Sequence, residues 1–148
     1  EGPPTFECPS TLHGLRILVV DDEGETRELL RYLLAQCDAR VTLAGDARSA
    51  LDELARGEFD VLLSDVGMPE HDGYWLVRQV RELPFERGGR VPAIALTAYA
   101  RTEDRTAALR AGFDMHLVKP IDPNELLVVI ATLVERERRR PSLLDSRN

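Results

Sequence analysis

The chain has 148 residues, the usual size of one globular domain, with 19 Lys and Arg against 26 Asp and Glu, a net charge of −7 and a pI near 5.0. A composition 43% hydrophobic and 30% charged excludes wholesale disorder, and the acidic balance argues against nucleic acid as the main partner. No apolar run approaches the ~20 residues of a membrane span, and Glu1-Gly2-Pro3-Pro4 lacks the basic and apolar blocks of a signal peptide, so no membrane contact is expected.

Residues 1–14 (EGPPTFECPSTLHG) are rich in Pro, Gly, Ser and Thr without periodicity, and read as a linker or chain edge outside the core. From Leu15 the pattern changes. Leu15-Arg16-Ile17-Leu18-Val19-Val20 is a nearly continuous apolar run, as in a strand covered on both faces, and it stops at Asp21-Asp22-Glu23-Gly24. A helix follows, with Leu29, Leu30, Leu33, Leu34 and Cys37 predicted on one stripe. Arg40 to Ala44 is a second strand. Asp46 caps the next helix, whose Ala47, Ala50, Leu51, Leu54 and Ala55 are predicted to face inward, with Gly57 near its end. Phe59 to Ser64 is a third strand, ending at Asp65.

A third helix runs from Tyr74 to about Leu83, where Pro84 stops it, and the Gly88-Gly89 loop beyond is expected to vary in conformation. Ala93 to Leu96 is a fourth strand leading into Thr97-Ala98, and Thr102 to Ala111 is helical, stopped by Gly112. Met115 to Val118 is a fifth strand, ending at Lys119-Pro120. The last helix has the clearest signals: Asp122 as cap, Pro123 at the first position and Glu125 three after the cap. Its inward stripe is Leu126, Leu127, Ile130, Leu133 and Val134, and Arg136 to Arg140 complement the dipole at its end.

Strands alternating with helices imply a parallel sheet with helices on both faces. Cys8 and Cys37 make no disulfide framework or zinc spacing, and His13, His71 and His116 share no spacing; all five read as ordinary surface or core residues. Cysteine usage of this kind fits a reducing interior.

Open parallel sheets carry their functional groups beyond the carboxyl ends of the strands. Here those positions hold Asp21 and Asp22 after the first strand and Asp65 after the third. Thr97 and Ala98 follow the fourth, and Lys119 follows the fifth. Each has a bland reading as a turn, cap or solvated residue; their shared placement is what turn chemistry does not explain. Two carboxylates ~4 Å apart repel by about 4 kcal/mol at an effective dielectric of ~20, so either pKa values rise or a cation sits between them. Oxygen-only ligands in a partly open cluster suit Mg²⁺. In phosphoryl transfer Asp65 would be the nucleophile, Asp21 and Asp22 the metal cluster, and Thr97 and Lys119 the phosphate donors.

Asp21-Asp22-Glu23, Asp65 with Met68-Pro69 and Asp72-Gly73, Thr97-Ala98 and Lys119-Pro120 together resemble the signature of response regulator receiver domains, over roughly Leu15 to Arg136. The resemblance implies a flavodoxin-like (βα)5 fold, a doubly wound parallel sheet of strand order 2-1-3-4-5, with residues 15–140 as the domain and 141–148 as a tail. It makes Asp65 the phospho-acceptor and Asp21, Asp22, Asp65 and the Gly67 carbonyl the Mg²⁺ ligands, with Mn²⁺ as substitute. Thr97 becomes the switch hydroxyl, Ala98 a phosphoryl contact and Lys119 the phosphoryl-bonding lysine, with a Lys119-Pro120 bond that is commonly cis. A histidine kinase or phosphotransfer domain would donate the group in the cytoplasm, and a downstream protein, a fused domain or a second copy would read the face of the fourth helix, fifth strand and fifth helix. No enzymatic activity beyond self-phosphorylation from small donors and slow self-dephosphorylation is implied.

The sequence departs at the aromatic switch position, three before the lysine, where His116 stands for the usual Tyr or Phe and could make output pH-sensitive. Gly67 and Tyr99 occupy the positions that tune hydrolysis, and predict a long-lived acyl phosphate. Among rival readings, a flavodoxin-type cofactor binder would want backbone donors where Asp21-Asp22-Glu23 stands. An aspartate-nucleophile phosphohydrolase would want a second acid where Gly24 lies, and a degenerate receiver would have lost acids that are all present. Beyond Arg140 only Pro-Ser-Leu-Leu-Asp-Ser-Arg-Asn follows, which leads to the expectation of a stand-alone receiver or one cut from a hybrid kinase.

Overall fold

The computed structural model describes residues 7–140, in which the chain alternates β1 (Arg16–Val20), α1 (Gly24–Ala35), β2 (Arg40–Ala44), α2 (Ala47–Arg56) and β3 (Val61–Asp65). It continues through α3 (Gly73–Arg81), β4 (Ala93–Thr97), α4 (Thr102–Ala111), β5 (Met115–Val118) and α5 (Pro123–Arg139). The strands form one parallel sheet in the order β2-β1-β3-β4-β5, as the resemblance implied. The proposed tail, 141–148, lies outside the described residues, as do residues 1–6.

Local chemistry sets the helix starts. The carboxylates of Asp46, Asp72 and Asp122 accept hydrogen bonds from the backbone N–H groups of Ser49, Trp75 and Glu125, each closing the first turn of its helix. Pro123 occupies the first turn of α5, where its missing N–H removes no intrahelical bond. No helix among the described residues is long and apolar enough to cross a membrane.

The sheet separates two apolar clusters. One packs Ile17, Val19, Val61, Leu63, Ile94 and Leu96 against α1 and α5; the other packs Leu18, Val20 and Leu62 against α2, α3 and α4. The α5 stripe is buried as its periodicity predicts. Leu29 and Ala55 are not: Leu29 is 66% exposed and Ala55 faces solvent, because α1 and α2 each present a narrower face to the sheet than the sequence stripe suggests.

The leader also departs from expectation. A single 3-10 turn, Ser10–Leu12, packs against α5, and Leu12 is 0% exposed within the first cluster, so the core begins ahead of Leu15. That turn carries Cys8 back across the end of α1, where it is disulfide-bonded to Cys37 with the Cα atoms 5.3 Å apart. The two cysteines are thus a pair rather than separate bland residues, and they give no support to a reducing compartment.

The Gly88-Gly89 loop contains a 3-10 turn at Phe85–Arg87 and is pinned by Arg81. The Arg81 guanidinium donates to the carbonyls of Gly89, Val91 and Gly112 and to the Asp114 carboxylate, which also accepts from the Ala93 N–H. One half-buried cation therefore joins the end of α3, the start of β4 and the α4–β5 turn.

Candidate functional site

Strand geometry alone delivers the acidic residues to one rim. β1 ends at Val20 beside Ser64 of β3, so Asp21, just past β1, and Asp65, the last residue of β3, emerge side by side. One carboxylate oxygen each from Asp21, Asp22 and Asp65 lie within 4.8 Å of one another. Asp21 is 0% exposed, Asp65 is 7% exposed and Asp22 faces solvent, so the cluster is open on one side.

Asp21 is held from several directions. Its Oδ1 accepts from the Glu23 N–H at 2.9 Å, while its own carbonyl accepts from the Arg27 guanidinium at 2.6 Å. Arg27 lies over Gly45 and so links α1, the β1–α1 loop and the end of β2. Asp65 Oδ1 accepts a long bond from the Gly67 N–H, 3.4 Å, and its backbone carbonyl accepts from the Ser64 hydroxyl at 2.9 Å. Gly73 starts α3 directly against this backbone: its N–H donates to Val66 at 2.9 Å, and a Cβ there would overlap the Asp65 carbonyl oxygen. A side-chain-free residue is therefore required behind Asp65.

Lys119 reaches in from the end of β5. Its Nζ is 3.3 Å from Asp21 Oδ2 and 3.2 Å from Asp65 Oδ1, and its backbone N–H donates to the Thr97 carbonyl at 2.7 Å. The Lys119-Pro120 bond is cis. Burial and the neighbouring Asp21 push the Asp65 carboxyl above the usual range, against the opposing pull of Lys119. Burial alone would lower the Lys119 ammonium; the two carboxylates outweigh it and raise it.

Thr97 is buried at the end of β4, with its Oγ1 accepting from the Tyr99 N–H at 3.1 Å, while Ala98 and the Tyr99 ring are exposed. His116 lies half-buried on β5 opposite Ala95, and its Nε2 is buried without a hydrogen-bond partner among the described residues. The structure thus brings Lys119 against Asp21 and Asp65, with Asp22 in the same carboxylate cluster. Hydrogen bonds from backbone N–H groups join Gly67 to Asp65 and Lys119 to Thr97, Ala98 is next to Thr97 in the chain, and His116 lies three residues before Lys119 on β5. Arg27 and Gly73 were not singled out for these positioning contacts; a Gly after a helix-capping Asp was the one available signal for the second.

Three hard-oxygen groups, one of them solvent-facing, beside an excess of buried negative charge are a donor set that fits a small divalent cation. Residues 17–131 match the family model described as response regulator receiver domain. An uncharacterised 14.6 kDa protein of Leptolyngbya boryana is 54% identical over 120 residues, covering 81% of this chain and 90% of that protein. The sensor histidine kinase RcsC of Salmonella typhi is 34% identical over 137 residues, 93% of this chain but only 14% of the kinase. Among solved structures, the receiver domain of the Pseudomonas aeruginosa sensor histidine kinase PA1611, with a magnesium ion coordinated in its active-site cleft, is 35% identical with a TM-score of 0.75, covering 82% of this chain and 98% of that one. The chemotaxis protein CheY4 of Vibrio cholerae gives 30% identity and a TM-score of 0.75 over 80% of this chain and 98% of that one.

Proposed function

Since the chain belongs to the response regulator receiver family of two-component signalling, we propose that Asp65 is its phospho-acceptor, taking a phosphoryl group from the phosphohistidine of a histidine kinase or phosphotransfer domain in the cytoplasm. The observation that carries this reading is the Lys119 ammonium set between Asp21 and Asp65 beside the three-carboxylate cluster.

Asp21, Asp22, Asp65 and the Gly67 carbonyl would hold Mg²⁺, or Mn²⁺ in its place. Bound there, the cation supplies charge neutralisation between the carboxylates and an incoming phosphoryl group. Asp65 attacks phosphorus through a carboxylate oxygen as the donor's phosphorus–nitrogen bond breaks, giving an acyl phosphate and a free imidazole. Lys119 gives up its pairing with the Asp65 carboxylate and bonds a phosphoryl oxygen. The Ala98 N–H takes another, and the Thr97 hydroxyl turns from the Tyr99 N–H toward a third. This inward pull on the end of β4 biases the face of α4, β5 and α5 between two arrangements, read by a downstream protein, a fused domain or a second copy of the chain.

Incubation with Mg²⁺ and a small acyl-phosphate donor, followed by intact mass, tests the assignment. Wild type gains one phosphoryl group and Asp65→Asn gains none. Modification of the variant, or none of the wild type, overturns it.

A further inference from the structure

At the amino ends of the strands, opposite the acidic rim, the Cys8–Cys37 bond joins the segment ahead of β1 to the α1–β2 connection, 29 residues on. The two sulfurs have unequal surroundings. Cys37 is 4% exposed, belongs to the α1–α5 cluster with Leu12 and Leu34, and has its N–H bonded to the Leu34 carbonyl at 3.0 Å. Cys8 is exposed and lies outside any helix or strand, and among the described residues its Sγ has one weak polar contact besides the bond, 3.8 Å from the Gln36 carbonyl. Between Cys8 and β1 the chain is also fastened by Leu12 and Leu15 in the core, by the Gly14 N–H donating to the Asp38 carbonyl at 2.8 Å, by the Thr11 hydroxyl donating to Glu135 of α5, and by an exposed His13–Asp38 pair at 3.4 Å. Exposed polar pairs hold a segment weakly.

We propose that Cys8 and Cys37 are a reversible thiol–disulfide site, opened by a dithiol reductant, which clasps the segment ahead of β1 to the end of α1. An external thiolate attacks the accessible Cys8 sulfur; the S–S bond breaks, and Cys37 leaves as a thiolate that takes a proton. The second thiol of the reductant then displaces Cys8 from the mixed disulfide, so the dithiol is oxidised to its disulfide and the two cysteines end as thiols. Closure is the reverse exchange, driven by a small disulfide such as glutathione disulfide. Opening frees residues 7–10 while Leu12 stays seated, and leaves Asp21, Asp65 and Lys119 untouched at the far rim.

The test uses the full chain equilibrated with glutathione disulfide or with dithiothreitol. The two forms are expected to differ in mass by two hydrogens. Backbone hydrogen exchange across residues 7–13 should be roughly tenfold faster in the reduced form, with β1, β3 and β4 unchanged. Cys8→Ser should show the fast pattern in both buffers, and a limited pulse of glutathione should leave its adduct on Cys8. The proposal is overturned if the thiols stay free under glutathione disulfide, if exchange across residues 7–13 is the same in both forms, or if the adduct sits on Cys37. None of these readouts depends on phosphorylation of Asp65.

Discussion

The ammonium of Lys119 stands 3.2 Å from Asp65 Oδ1 and at nearly the same distance, 3.3 Å, from Asp21 Oδ2. It is the cation that the described residues place between two buried carboxylates. Lys119→Ala leaves those carboxylates facing each other, and in chelator-treated protein it should destabilise the fold by about 2 kcal/mol, less than the roughly 3–5 of a fully buried pair because the lysine is partly solvated. Added Mg²⁺ should restore most of the loss. Thermal melts of both proteins with chelator and with Mg²⁺ read this; an equal deficit in both buffers would contradict it.

Asp65 supplies the pH dependence. Its carboxyl is raised by burial and by Asp21, so the folded chain binds its proton more tightly than the unfolded chain does. Stability from this group therefore falls as pH rises from the ordinary carboxylate range through the raised value. In metal-free protein Asp65→Asn should melt higher than wild type at pH 7, by about 2–4 °C for roughly 1 kcal/mol relieved. The gap should shrink as pH falls and Asp65 takes up its proton. Melts across a pH series check both the sign and the narrowing.

Gly67 holds one of the two positions expected to tune hydrolysis of the proposed acyl phosphate, and a Cβ there would meet nothing within 4 Å. A side chain fits there without displacing the site. Gly67→Asn, which can orient an attacking water, should speed hydrolysis on the order of tenfold over a slow wild type. Phospho-decay followed by intact mass measures this, and a wild-type half-life of seconds would contradict the slow baseline.

Among the described residues His116 Nε2 is buried without a partner, and a buried donor or acceptor left unmade is destabilising by about 1–3 kcal/mol. His116→Phe removes that nitrogen while keeping a planar ring, so it should raise stability by roughly 1 kcal/mol. Urea unfolding at pH 7.5 gives the difference. Phospho-dependent binding by the two proteins across pH 5.5 to 8 tests the switch role separately: flat, equal curves would remove any pH sensing by His116.

Arg81 is shielded enough that burial lowers its pKa, yet it makes four hydrogen bonds to three backbone carbonyls and Asp114. Arg81→Met should be destabilising by about 2–4 kcal/mol while leaving the phosphorylation rate of the folded fraction unchanged. Denaturant midpoints together with a phosphodonor time course separate the two effects.

The strands and the acidic rim were legible because both depend on local pattern. Runs such as Ile17 to Val20 announce doubly covered strands, and parallel order then forces Asp21 and Asp65 to emerge together. What escaped depends on contacts far apart in the chain. Cys8 finds Cys37 only because Leu12 turns the leader into the core, and no spacing rule records that turn. Arg81 reads as one more surface cation of α3 until the β4 and α4–β5 segments close over it. Leu29 satisfies the helical period yet lies beyond the edge of what the sheet covers.

The two apolar clusters also determine how strand register is held. Every strand residue of β4 is buried, so no alternation of polar and apolar groups tells its faces apart. Volume does so instead. Ala93 and Ala95 point toward α2, α3 and α4, whereas Ile94 and Leu96 point toward α1 and α5. A slip of one residue would force the two large side chains into alanine-sized gaps on one side and open voids on the other. The sheet is therefore keyed by steric bulk, and the placement of Thr97 at the acidic rim is inherited from two methyl groups packed beneath it.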